Sequence, residues 1–236
     1  MKTLREYPKP DRPANPTPLD MAIYNFELKA KSYHDESIKK EPNAEKLKKL
    51  ALDYEHLQIE KKRIESVSIA QSALELYRVN RSHSTRKALL EETHHTTNTT
   101  NNLARFLFAV GEPKPTKYHE AHHIIPGTGR DNKQAVLRAR LNLHMVGIGI
   151  NDPHNGIWLI NFVRHKENDW ATKESPPHRK LHRYNYETWI GESLGGSMTK
   201  DKGLFVNKLR NVKTMIKTGT LPSKIFEEKD ELWKGI

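Results

Sequence analysis

Only two short stretches of this chain, residues 120–126 and 156–163, read as β-strand. Almost every other patterned segment repeats its apolar residues every three to four positions, which is the period of a helix. The chain is therefore expected to be α+β and mostly helical. Its minimal organised unit reads as strand, insertion, strand, helix.

The helical segments have clear punctuation. Residues 43–80 form the longest, with Leu47, Leu50, Tyr54, Leu57 and Ile64 in one register. Val67, Ala70, Leu74 and Tyr77 continue it after one phase shift. Shorter helices are expected over 85–92 and 101–110, the latter stopped by Gly111, Pro113 and Pro115. Between them lies a polar run in which His94 and His95 have no apolar neighbours, and both read as surface residues. After Pro115 the pattern changes. Residues 134–145 read as an inserted helix, 178–190 as a helix introduced by Pro176 and Pro177, and 203–219 as an amphipathic helix closed at Gly219. Five prolines among the first 20 residues mark an extended linker. The expected domains are a Pro-rich linker at 1–20, a helical region at 21–100 and a catalytic domain at 101–236.

Composition narrows the chemistry. Lys and Arg outnumber Asp and Glu by 40 to 29, for a formal net charge of +11. Such a surface suits a polyanionic partner. There is no cysteine, so a metal would have to be held by His, Asp, Glu or Asn. No window is long and apolar enough for membrane insertion. The N-terminus has no apolar core of a secretory signal peptide, so export is expected to need another carrier.

Eight of the 13 histidines fall within residues 119–182: His119, His122, His123, His144, His154, His165, His178 and His182. His122 and His123 are adjacent in an expected strand, so their side chains point to opposite faces. His178 and His182 are four apart on an expected helix and share a face. One strand histidine and two helix histidines supply three nitrogen ligands, which leaves an open position on an ion. His123 then stays available as a general base near neutral pH. Asn155, at the start of the second strand, is placed to hold that base in one tautomer.

The blocks EAHHIIPG, GIGINDPHNGIWL and HRKLHRYNYE, in that order, resemble the AHH nucleases of the HNH/endonuclease VII superfamily. The resemblance runs from about Leu103 to about Trp189. It implies a ββα-metal (His-Me finger) core, here with an N-terminal helical extension. It also implies that His122 is a metal ligand, His123 the general base, Asn155 the residue that positions it, and His182 with His178 the helix-borne ligands. Members of this kind are best known as toxin domains of bacterial polymorphic toxins and type VI secretion effectors. That implies a bacterial chain made in the cytoplasm, delivered into target cells by a secretion-system carrier or adaptor, and neutralised at home by an immunity protein. Ile160 departs from the pattern, where proline is frequent. His144, His154 and His165 have no place in it, and His119 is at most a peripheral ligand.

The expected activity is metal-dependent hydrolysis of DNA without strong sequence preference. One divalent ion, magnesium, zinc or nickel, would neutralise charge at the scissile phosphate. Arg130, Lys133, Arg138 and Arg140 around the insertion, and Arg179, Lys180 and Arg183 beside the helix ligands, would grip phosphates. A ribonuclease with the same site, a noncatalytic zinc-stabilised nucleic-acid-binding module and a helical scaffold with incidental histidines are the other readings. Trp158 and Trp189 are expected in the core. On this division, residues 1–95 are dispensable for nuclease activity.

Overall fold

A computed structural model describes residues 7–39, 43–92 and 99–236. His94 and His95 lie outside the described residues. The chain divides into two compact units, 1–72 and 73–236.

In the first unit residues 7–17 are irregular, and the chain then enters α1 (Pro18–Ser37). The Thr17 hydroxyl accepts from the Asp20 amide, the Asp20 carboxylate accepts from the Thr17 amide, and Pro18 occupies the first helical position. This reciprocal cap fixes the start of the helix. The helix therefore begins inside the expected 1–20 linker. The long helix α2 (Ala44–Ser82) follows. Tyr33 and Tyr54 pack their rings 5.8 Å apart, and Lys29 Nζ lies 3.0 Å from His56 Nε2. Leu57 is buried, whereas Leu47, Leu52, Tyr54 and Ile59 remain exposed.

The second unit holds α3 (Arg86–Glu91), α4 (Thr99–Ala109), β1 (His119–His123), α5 (Lys133–Met145), β2 (Gly156–Ile160), α6 (His178–Leu181), α7 (Tyr184–Gly195) and α8 (Lys202–Thr218). Among the described residues the sheet has two strands. They are antiparallel, with His119 opposite Ile160, His122 opposite Ile157 and His123 opposite Gly156. On one face Ala121 and Trp158 pack against Leu103 and Leu107 of α4. The main core joins Ile157 and Leu159 to Ile124, Ile125, Leu143, Tyr186, Trp189 and the buried side of α8.

The inserted α5 is pinned to α7. The buried Glu187 carboxylate accepts the backbone N–H groups of Arg130 at 2.7 Å and Asp131 at 2.9 Å. Further along, the two helices touch closely: a Cβ on Gly195 would lie 2.7 Å from the Ala139 amide nitrogen.

Two sequence expectations change. The expected continuous helix over 178–190 is broken. His182 leaves helical geometry with ψ 71°, and Arg183 is extended before α7 begins. The break is held from outside, because Arg130 donates to the His182 carbonyl at 2.7 Å and Arg183 donates to the Phe226 carbonyl at 2.8 Å. Secondly, the compact unit starts at residue 73 rather than 101. Leu89 is buried, Arg78 Nε donates to Asp152 at 2.8 Å, and Tyr77 donates to Glu92 while accepting the Asn151 amide at 2.9 Å. Residues 73–92 are thus part of the unit that carries the two strands.

Two measurements follow. A fragment of residues 73–236 should melt cooperatively, whereas one of residues 96–236, stripped of Tyr77, Arg78, Leu89 and Glu92, should lose that transition in circular dichroism. The second concerns His144. Burial lowers its pKa to about 4, against the hydrogen bond to the Ile148 carbonyl, which favours the charged form. The unfolded chain takes up this proton near pH 6.5 and the folded chain does not. Stability is therefore full above about pH 6.5 and declines by about 1.4 kcal/mol per pH unit as pH falls toward about 4. Urea unfolding of the wild type and His144→Gln at pH 7 and pH 5 should show a shallower pH dependence for the variant.

Candidate active site

Strand alternation separates the two adjacent imidazoles. His122 faces α6 and α7, with ring centroids 4.8 Å from His178, 5.3 Å from His182 and 5.9 Å from Tyr186. His123 faces the loop before β2, where its Nε2 lies 2.9 Å from Asn151 Oδ1.

His122, His178 and His182 each place a ligand atom within 4.8 Å of the other two. Among the described residues this is the one cluster of three or more His, Asp or Glu that could hold a metal ion. The Nε2 atoms of the two helix-side histidines meet at hydrogen-bond distance, 2.7 Å apart. The broken helix does not prevent this, because α6 carries His178 on its first residue and His182 just past its last. Glu120 accepts the His178 Nδ1 proton at 2.7 Å, which leaves the lone pair of that ring on Nε2. Burial pushes the His178 pKa down, and the Glu120 carboxylate only partly opposes it. A neutral imidazole is the form that ligates. Three imidazole nitrogens, one oriented by a carboxylate, fit a divalent cation.

The surroundings of His123 are equally tied down. Asn151 is buried, and its Nδ2 donates to Glu92 Oε1 at 2.8 Å. A carboxylate can only accept, so the amide oxygen must face His123 and receive its Nε2 proton. The neutral ring then carries its lone pair on Nδ1.

Asn155 does something other than expected. Its side chain accepts the Ile125 amide at 2.8 Å and donates to the Ile125 and Ile150 carbonyls at 3.1 and 2.9 Å. These three bonds occupy the amide and lock the backbone two residues beyond His123 to the start of β2. Asn151 is the residue whose amide meets the His123 ring.

The expected phosphate-binding residues divide. Arg130, Lys133, Arg138, Arg179, Lys180 and Arg183 are exposed. Arg130 reaches the backbone of the cluster through its bond to the His182 carbonyl, and Arg179 stacks over Phe162 with 5.3 Å to the ring centre. Arg140 is a correction: it is buried and donates to the carbonyls of Gly127, Leu89 and Glu92 and toward His144 Nε2. A guanidinium so occupied braces the core and faces no phosphate.

The unplaced histidines are structural. His119 is fully buried among Thr116, Thr172 and Asp169, outside the cluster. His154 binds Asp152, and His165 stacks on Tyr118. Trp158 and Trp189 are buried, as expected. The residues that sequence reading missed are Glu120, Asn151, Glu92 and Tyr186, whose hydroxyl donates to the Ile124 carbonyl at 2.9 Å. Glu120 could have been found, since it stands two residues before His122 on the same strand face.

No curated protein and no solved structure matches the chain. Residues 103–214, just under half of the chain, match a nuclease family of the HNH/ENDO VII superfamily with conserved AHH. Ala121, His122 and His123 are the one Ala-His-His in the sequence, and they lie on the strand that carries the metal-competent cluster. Residues 103–214 are therefore a domain of the AHH nuclease family.

Proposed function

We propose that this domain is a metal-dependent endonuclease that hydrolyses the phosphodiester backbone of DNA with little regard to sequence. The observation that carries the reading is the division between neighbouring histidines, His122 in a three-imidazole cluster and His123 on a separate hydrogen-bonded network.

His122, His178 and His182 would hold one divalent ion, magnesium, zinc or nickel. Bound there, the ion supplies charge neutralisation at the phosphate and at the departing 3′ oxygen. The rest falls to the chain. Asn151 holds the Nε2 proton of His123, so Nδ1 takes the proton from an attacking water. The water oxygen bonds to phosphorus, and the bond from phosphorus to the 3′ oxygen breaks. Base catalysis of this kind contributes about 10²–10⁴-fold. Exposed Arg130, Lys133, Arg138, Arg179, Lys180 and Arg183 would contact phosphates, which carry no sequence information.

Family resemblance supports a toxin role as well. On that reading the chain is delivered by a secretion-system carrier into the target-cell cytoplasm. An acidic immunity protein complements its basic surface at home.

Plasmid digestion is the direct test. The full chain should cut in the presence of Mg²⁺, Zn²⁺ or Ni²⁺ and stop in EDTA. His123→Ala should slow cutting by about 10²-fold or more while still binding DNA. Cleavage of RNA alone would move the same site to a ribonuclease. Binding without cutting by the wild type would instead mark a noncatalytic module. Asn151 gives a second prediction. Asn151→Ala should lower kcat by about tenfold or more with KM little changed, because it orients the base without touching substrate. A fall in kcat no larger than the fall in folded fraction would reduce Asn151 to a structural residue.

A further inference from the structure

A cleft of about 480 Å³ opens between the end of α4, the 3-10 turn Pro153–Asn155 and α8. It shares no residue with the histidine cluster, nor with the cations that the sequence marks for phosphate binding. Val110, Pro153 and Val206 form its apolar floor. Arg78, Arg210, Lys213 and Lys217 line its walls, and Glu112 is the single acid among the lining residues.

The charges do not cancel. Glu112 is shared between Lys213 at 2.6 Å and Lys217 at 4.0 Å. Arg78 is paired with the buried Asp152. Arg210 is exposed, and among the described residues it has a hydrogen bond to the neutral Asn207 amide and no carboxylate partner. Water can reach the cleft, so its surplus positive charge is available to a ligand.

Spacing selects the ligand. Arg210, Lys213 and Lys217 recur at helical intervals of three and four, so they form one row on α8. At about 1.5 Å per residue the row is about 10 Å long, the axial rise of about three nucleotides in one strand. A single phosphate would leave most of this row unused. An acidic protein would need a larger apolar core than three small side chains provide. No Phe, Tyr or Trp lines the cleft, and the His154 ring is bound to Asp152. Bases therefore have no free platform to stack on, and the backbone is the group the cleft can hold.

We propose that this cleft is a second nucleic-acid contact, gripping the phosphate backbone of the same polymer that the histidine centre cuts. The proposal rests on the nuclease reading and extends its footprint to α8.

The test uses the full chain and Arg210→Gln/Lys217→Gln. Both positions are exposed, and equal melting temperatures check that folding is intact. Binding to a 30-base-pair DNA duplex and to RNA of the same sequence is measured in EDTA, so that nothing is cut, across 50–200 mM salt. Because the variant neutralises two fewer phosphates, the slope of log affinity against log salt should fall by about two, and affinity near 100 mM salt should drop about tenfold or more. An unchanged slope and affinity, in a chain that binds and cuts, overturns the cleft proposal and leaves the nuclease reading standing. That holds even if the same variant loses capture of an acidic protein. A wild-type chain that neither binds nor cuts either polymer overturns both.

Discussion

The antiparallel pairing of β1 with β2 is the constraint on which the site depends. A pleated strand sends successive side chains to opposite faces, so two adjacent histidines are forced into different surroundings without any special loop. One face supplies α6, α7 and the partner imidazoles. The other supplies Asn151. The strand is only five residues long, and its register is secured at the far end by Asn155, which ties Ile125 to the start of β2. A slip by one residue would exchange the environments of the two histidines and destroy both.

That short sheet could not stand alone in water. Its neighbours hold it by contacts from remote parts of the chain. Leu103 and Leu107 cover one face, and α7 and α8 close the core beneath the other. Glu187 binds the loop that leads into α5, and Arg140 gathers three carbonyls from two separate segments, the end of α3 and the loop after β1. Buried charges of this kind are costly unless hydrogen-bonded, and the bonds these two make serve as joints between elements.

Most elements could be read from the sequence because they depend on local signals. The apolar period marked α2, α5 and α8, Gly111 and Gly219 marked helix ends, and residues 156–163 stood out as strand, of which Gly156–Ile160 form β2. His122, His178 and His182 could be grouped because strand and helix periods say which residues share a face. What escaped notice depends on contacts between distant segments. Nothing near Arg140 distinguishes it from its exposed neighbour Arg138, and burial alone separates them. Asn151 and Asn155 sit in the same short motif, and only the fold decides which amide reaches the ring. Glu92 lies 31 residues before His123 in sequence, and no spacing rule connects them. The start of α1 was within reach, since Thr17, Pro18 and Asp20 spell a helix cap.

The interruption after Leu181 gives the centre an asymmetry. His178 stands on a helical turn and is held by a carboxylate, whereas His182 stands where the regular backbone has already ended. The ring of the first is tethered by Glu120, and the backbone at the second by Arg130 and Arg183. The spacing of the pair is thus set by contacts from other segments and not by one continuous helical turn.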